Sequence, residues 1–417
     1  MSYHAFEFLK KIYYVRTAGS KEDLKAAKEI QEEVKRLGGI ATLEDFDIDH
    51  SNITLSKLYI DGKEIECAGA GYSGVTEIDG VTGEFYYATQ SEAIDLVNLK
   101  DKIILSHTKR VPHNLYEKAV KDKALGFIVI TGSVYKDSND VDLDPYLNRE
   151  LDYSLGMIPT VMIRAKDAEK ILEKEPKNAT IILRGEDDKV KTQNVVSVIK
   201  GTEFENELIT LTAHYDSVSF SKGAYDNGTG VISLLQIYEY FMQNKPKRTL
   251  KFIWCGAEEM GLLGSKEYVK SHEEEVKNNI LLNINIDMVG ATLGHDIACV
   301  TGDNSIVNYL KFMYKEEGFP LHVYQDVYSS DSTPFADAGI PAISFARISN
   351  SNGAIIHSHD DVIERLSEPN FLRTIDFIIK VLNRWVNAKA FPIEKKIPDN
   401  VKEKIDKYYQ RKDKNEK

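Results

Sequence analysis

Five short stretches concentrate the residues able to hold a metal ion or move a proton. They are His214-Tyr-Asp-Ser217, Gly223-Ala-Tyr-Asp-Asn-Gly-Thr-Gly230, Ala257-Glu-Glu-Met-Gly-Leu-Leu-Gly-Ser265, Asn285-Ile-Asp-Met-Val-Gly290 and Ile356-His-Ser-His-Asp-Asp361. Metal-assisted hydrolysis needs ligands on rigid elements, an open coordination position for water and a base beside that water. His214, Asp226, Glu259, Asp287 and His357 offer two imidazoles and three carboxylates, a donor set suited to zinc. Asp226, engaged through both oxygens, would bridge two ions about 3.5 to 4 Å apart. Each ion would then have one histidine, one terminal carboxylate and the shared Asp226.

Neighbouring side chains point in different directions, so in the Glu258-Glu259 pair one carboxylate can bind metal while the other reaches the water. Glu259 is assigned as ligand and Glu258 as general base. Asp216 is placed to accept a hydrogen bond from the His214 ring nitrogen turned away from the metal, fixing its tautomer. Each feature alone has a plainer explanation. An acidic pair after a strand is commonly a solvated helix start, and a lone histidine at a strand end is commonly structural. Asp216 two residues after His214, and Asp226 ten after that, reverse the balance. By composition, either His357 or His359 supplies the late imidazole.

Such residues must be delivered by buried elements, and the sequence provides them. Leu208–Ala213, Thr249–Cys255, Leu281–Ile286 and Ala342–Ala346 are apolar runs of strand length, preceding His214, Glu258-Glu259, Asp287 and His357 respectively. Four polar clusters after four strands indicate one shared site along a sheet edge, where α/β proteins keep their chemistry. Val231, Leu234, Leu235, Tyr238 and Phe241 predict a helix after the Asp226 turn, and Gly256 and Gly261 are expected to permit the turn around the acidic pair.

Upstream, residues 20–38 predict an amphipathic helix capped by Ser20 with Asp23, buried through Leu24, Ala27, Ile30, Val34 and Leu37, and stopped by Gly38. Residues 41–60 read as extended. From about 60 to 190 the pattern changes to short β-rich runs, Lys102–Ser106, Gly126–Ile130 and Ile158–Ile163, with a helix over Asn114–Ala124 and a candidate mobile loop over Tyr135–Tyr153. The charged stretch 394–417 is expected to be a solvated, partly frayed tail with room for a helix.

With 53 basic against 65 acidic residues, the net charge of -12 excludes a general nucleic-acid binder, which needs a basic face for phosphates. The start lacks the basic, then apolar, pattern of a signal peptide, and no apolar run reaches membrane-spanning length, so a soluble, cytoplasmic protein without membrane contact is expected. Cys67, Cys255 and Cys299 are too few and too far apart for a disulfide framework or a thiolate metal site.

Taken in order, His-x-Asp-Ser, Gly-Ala-x-Asp-Asn-Gly-Thr-Gly, Glu-Glu-x-Gly-Leu-x-Gly-Ser, Asn-x-Asp-Met-x-Gly and His-Ser-x-x-Asp resemble the two-zinc exopeptidases of the aminopeptidase Y type. That family also holds glutamate carboxypeptidase and, as a non-catalytic relative, the transferrin receptor. The resemblance implies a mixed central sheet flanked by helices, formed by residues 1–58 and 192–393, with 59–191 inserted. The insert is similar to the protease-associated domain in its order of strand, helix ending in Ala-x-Gly, strand and Ile-Pro. It further implies that Asp226, Glu259 and His357 hold one Zn2+ and His214, Asp226 and Asp287 a second. Asp361, four residues after His357, selects that histidine over His359, which is left at the rim. A cis peptide at Asp226-Asn227 is also implied. The expected activity is removal of N-terminal residues from peptide substrates, with Glu258 taking the proton of the attacking water. Carboxypeptidase or other amidase chemistry on the same site is the alternative; a non-catalytic scaffold would have lost ligands that are all present here. Ser330-Asp-Ser-Thr-Pro-Phe335 departs from relatives that carry His after the Ser-Asp pair.

Overall fold

The computed structural model describes residues 4–89, 97–144, 150–349 and 353–411. They form two compact units, residues 1–48 with 191–417 and residues 49–190. The chain leaves the first within the strand Ala41–Ile60 and re-enters it within the strand Asn178–Ile199.

In the first unit the strands Phe204–His214, Arg248–Cys255, Ile280–Ile286 and Ala342–Ile348 are mutually parallel neighbours. Residues 195–199 pair antiparallel to Arg248–Cys255 on one side. On the other side His295–Thr301 runs antiparallel to Ala342–Ile348 and carries the parallel edge strand Leu321–Gln325. The sheet is therefore mixed, as expected, and its four central strands all end at one edge. Every residue of Arg248–Cys255 is buried, the near-continuous apolar pattern of a strand covered on both faces.

The helix Thr229–Gln243 buries Val231, Leu234, Leu235, Tyr238 and Phe241, but also Ile232 and Ile237 from its other side. Such burial all round makes it a central element rather than a surface one. The helix Lys21–Arg36 starts where Ser20 Oγ accepts the Asp23 N–H at 3.0 Å, and Gly38 follows its end at φ 88°. Its buried face differs from the expected one: Leu24 is 39% exposed, Leu37 is half-buried and Ala26 is inside. Asp23 is also buried, taking hydrogen bonds from Gly19 N–H, Thr192 Oγ1 and Gln193 Nε2. Within the expected tail 394–417, Asp399–Tyr408 is a helix whose Val401 and Ile405 pack on Ala336 and Ala342, so this part is not solvated throughout; residues 412–417 lie outside the described residues.

In the second unit the strands Val81–Ala88, Lys102–Ser106, Gly126–Thr131 and Thr160–Arg164 are parallel in that order, with antiparallel neighbours at both ends. The helices His113–Asp122 and Ala165–Leu172 connect or follow them. Lys123 at φ 64° ends the first of these helices, so Ala124 lies beyond it. Of the expected loop 135–153, residues 145–149 lie outside the described residues, and the remainder includes short helical turns at Ser138–Asp140 and Glu150–Tyr153. A cavity of about 910 Å³ in this unit is lined by residues including His107, Lys109 and Glu169, and no metal-ligating cluster lies there among the described residues.

Candidate metal centre

His214 is the last residue of its strand, opposite Cys255 in the register, and Asp287 directly follows Ile280–Ile286. Asp226 sits in a single wide turn, Ala224–Gly228, immediately before the central helix. The turn contains the cis peptide Asp226-Asn227 that the resemblance implied. Left-handed backbone clusters around these positions: Ala257 precedes Glu258 at φ 55°, Met288 follows Asp287 at φ 59°, and His357 itself has φ 53°. Strained residues of this kind gather where a site over-determines its backbone. The two glycines flanking the acidic pair divide the work differently from expectation. Gly261 supplies a left-handed φ of 107°, whereas Gly256 is needed for close approach, since a Cβ there would stand 2.5 Å from Gln193 O.

All five candidate ligands meet. Asp226 Oδ1 lies 3.2 Å from His214 Nε2 and Asp226 Oδ2 lies 3.3 Å from His357 Nε2. His214 Nε2 is 3.6 Å from Asp287 Oδ1, and His357 Nε2 is 3.0 Å from Glu259 Oε2. The groups His214–Asp226–Asp287 and Asp226–Glu259–His357 each bring their ligating atoms within 4.8 Å of one another, and His214–Glu258–Glu259 does the same. Asp226 thus faces the two histidines with different oxygens. His359 joins no such group and has a 45% exposed side chain 3.7 Å from Asp360.

The charge balance calls for cations. Asp287 Oδ1 and Glu259 Oε1 are buried without a hydrogen-bond partner, an arrangement that costs stability unless something else pairs with them. Burial and the neighbouring Asp226 push Glu259 up to about 7. Burial, opposed by His214 and reinforced by Glu259, Asp331 and Asp287, holds the Glu258 carboxyl well above its usual range. His357 loses charge stability through burial, yet Asp226 and Glu259 outweigh this and push it up to about 11. A borderline-soft cation that binds nitrogen and carboxylate donors, such as zinc, fits this donor set.

Several residues support the ligands. Asp216 lies 3.5 Å from His214 Nδ1 without a hydrogen bond, and its two oxygens instead accept the backbone N–H groups of Glu258 (3.1 Å) and Glu259 (3.2 Å). It therefore sets the acidic pair as well as standing beside the imidazole. Asp361 accepts from Tyr225 N–H (2.7 Å), Asp226 N–H (3.1 Å) and Ser221 Oγ (3.2 Å), fixing the bridging turn. Asn227 ties that turn to the next strand, donating to Ile286 O at 3.1 Å and accepting from Met288 N–H at 3.1 Å. Arg16, fully buried, donates to the carbonyls of Tyr215, Ile12, Tyr14, Lys222 and Gly223, joining the segments that carry His214 and Asp226. Asp331 is buried with both oxygens lacking partners, and burial pushes it up to about 7. Of these, Asp216 and Asp361 left a sequence signal, their spacing from His214 and His357.

Residues 194–382 match Peptidase family M28. The chain is 28% identical over 389 residues to Aminopeptidase YwaD of Bacillus subtilis (strain 168), covering 90% of this chain and 82% of that protein. It is 29% identical over 162 residues to Leucine aminopeptidase 2 of Trichophyton rubrum, covering 36% of this chain and 32% of that one. Among solved structures it superposes on BSAP, a zinc aminopeptidase from Bacillus subtilis, with TM-score 0.77 and 26% identity, covering 95% and 98% of the two chains. The aminopeptidase from Aneurinibacillus sp. strain AM-1 shares the fold at TM-score 0.76 and 24% identity over 94% and 95%. The span that matches peptidase family M28 holds every residue of the converging cluster, so motif, fold and relatives point to the same similarity.

Proposed function

We propose that the protein is an aminopeptidase with a co-catalytic pair of zinc ions, one held by Asp226, Glu259 and His357 and the other by His214, Asp226 and Asp287. The observation that carries this reading is Asp226, whose two oxygens face two different histidines at 3.2 and 3.3 Å. When bound, the ions would supply Lewis acidity, lowering the pKa of water and polarising the scissile carbonyl. Glu258 takes the water's proton and passes it to the leaving amine, standing beside His214 and Glu259 in one cluster of ligating atoms. Asp216 holds Glu258 and Glu259 in place through their backbone N–H groups. Aminopeptidase chemistry is favoured over carboxypeptidase chemistry by the relatives that match most of both chains, named aminopeptidases.

Residues 49–190 are read as a protease-associated-like insert, supported by the strand, helix, strand order that leads to Ile158-Pro159. Three unpaired cysteines, Cys67, Cys255 and Cys299, support work in a reducing compartment such as the cytoplasm, and among the described residues no helix is long and apolar enough to cross a membrane. The test is Glu258→Gln. The variant should retain two zinc ions per chain while kcat on aminoacyl p-nitroanilides falls by about 10²- to 10⁴-fold. Retained turnover would remove Glu258 as the base, and cleavage of N-blocked peptides would remove the aminopeptidase reading.

A further inference from the structure

We propose that the C-terminal helix, Asp399–Tyr408, braces the loop that presses Ser330 onto Asp287, with Tyr408 as a positioning residue for the ion held by His214, Asp226 and Asp287. The inference rests on the two-ion reading above and goes beyond it, since the helix lies outside the matched family span of 194–382.

The argument starts at Asp287. Its Oδ2 accepts the hydroxyl of buried Ser330 at 2.6 Å, and Ser330 Oγ in turn accepts from Asn285 Nδ2 at 3.0 Å. With Asn285 donating to it, the serine hydroxyl must point its proton at Asp287. This splits the carboxylate: Oδ2 is held by protein, and Oδ1, buried and without a partner, is left facing His214 Nε2 at 3.6 Å. Ser330 therefore decides which oxygen meets the ion and where.

Ser330 is carried not by a strand but by the segment between Leu321–Gln325 and the short helix Ser332–Asp337. That segment is fastened from outside by one face of the C-terminal helix. Asn400 Nδ2 donates to Gln325 Oε1 at 3.1 Å, Lys404 Nζ donates to Gln325 O at 3.1 Å and lies 3.2 Å from Asp326 Oδ1, and Tyr408 Oη shares a hydrogen bond of 2.8 Å with Ser329 Oγ. Positions 400, 404 and 408 are spaced four apart, so they form one stripe along the helix. The adjacent stripe, Val401 and Ile405 with Ile397 before the helix, is buried against Ala336 and Ala342. The arginine fork of Arg411 closes the far end on Asp337 at 2.7 and 2.6 Å. A tail serving only to cover apolar surface would need the buried stripe alone; the polar stripe converges on the residues leading to Ser330.

The experiment measures the two stepwise zinc affinities of metal-depleted protein by chelator competition, with thermal unfolding of the same metal-depleted samples. Ser330→Ala marks the step that depends on Asp287, weakening it by about tenfold. Tyr408→Phe keeps the ring and should weaken that same step by about threefold, and Tyr408→Phe combined with Lys404→Met by about tenfold, with the other step within about twofold of wild type and melting unchanged. Chain termination after Pro398 should exceed both, and the point variants decide the matter if the shortened chain does not fold. Unchanged affinities in the Tyr408 and Lys404 variants, or an equal fall of both steps tracking lower melting, would overturn the brace. Uptake of fewer than two zinc ions by the wild-type chain would instead bring down the two-ion reading, and the inference with it.

Discussion

Asp216 offers the sharpest test of how the site is held, because it touches three of the groups assigned to chemistry while itself fully buried. Its Oδ1 takes the Glu258 N–H at 3.1 Å, its Oδ2 takes the Glu259 N–H at 3.2 Å, and Oδ1 stands 3.5 Å from His214 Nδ1. Asp216→Asn preserves shape but turns one of those oxygens into an NH2 group facing a backbone N–H. One charge-assisted hydrogen bond is lost and a buried donor is orphaned, a cost of about 1.5–3 kcal/mol. At about 1.4 kcal/mol per factor of ten, that is roughly a tenfold to hundredfold loss. It should surface where the acidic pair acts, in kcat through Glu258 and in zinc affinity through Glu259. Asp216→Ala, which orphans both N–H groups, should cost more on both measures. The assay pairs steady-state kinetics on an aminoacyl p-nitroanilide with zinc competition. A fully zinc-loaded Asp216→Asn enzyme with kcat within threefold of wild type would refute the claim that these two hydrogen bonds place the pair.

Asp226→Asn should weaken both ions together, because both of its oxygens face a histidine; metal content after dialysis that shows one ion held at wild-type affinity would refute the bridge. Chelation should lower the melting temperature by about 5 °C relative to protein in zinc at a hundredfold excess over Kd, which contributes about 2.7 kcal/mol, and identical melting curves would argue against a metal centre at these residues. Asp23 gives a pH test. Burial raises its pKa from 3.8 to about 6 in the fold, so its contribution is most favourable below about pH 4 and is lost as pH rises through 6. By pH 7 the buried carboxylate costs about 3 kcal/mol. In metal-depleted protein Asp23→Asn should therefore gain on wild type at pH 7 and lose that advantage towards pH 4; urea unfolding showing a pH-independent difference would refute it.

How much of this was legible follows from which interactions leave a trace in residue type. A strand buried on both faces must be an apolar run, so the four central strands and the polar clusters at their ends could be read directly. The strand His295–Thr301 and the edge strand Leu321–Gln325 were less legible because each mixes polar with apolar residues. Arg16 escaped for a different reason: its acceptors are five backbone carbonyls, and a carbonyl is present at every residue. Asn227 likewise works on main-chain groups. The C-terminal helix was legible only as a possibility, and its packing not at all, because its buried stripe is just Val401 and Ile405 among charges that make directed contacts.

The ligands and their supports thus follow opposite rules. Side chains that would hold ions are confined to histidine and carboxylate, and the few residue types able to do this make them conspicuous. Supports need only a charge or amide of the right reach, because the other half of each contact is backbone: Asp216 on the N–H groups of Glu258 and Glu259, Asp361 on those of Tyr225 and Asp226, Arg16 on carbonyls around both. Backbone partners cannot be removed by substitution, so a lost support leaves its N–H or C=O groups buried and unpaired, at about 1–3 kcal/mol each. A lost carboxylate ligand, by contrast, relieves like-charge crowding among Asp226, Glu259 and Asp287 even as it weakens the ion. In metal-depleted protein, substitution of Asp287 should therefore raise the melting temperature and support substitutions lower it, although both impair the loaded enzyme. Thermal melts of metal-depleted Asp287→Asn beside metal-depleted Asp361→Ala measure that difference in sign, and shifts in the same direction would refute it.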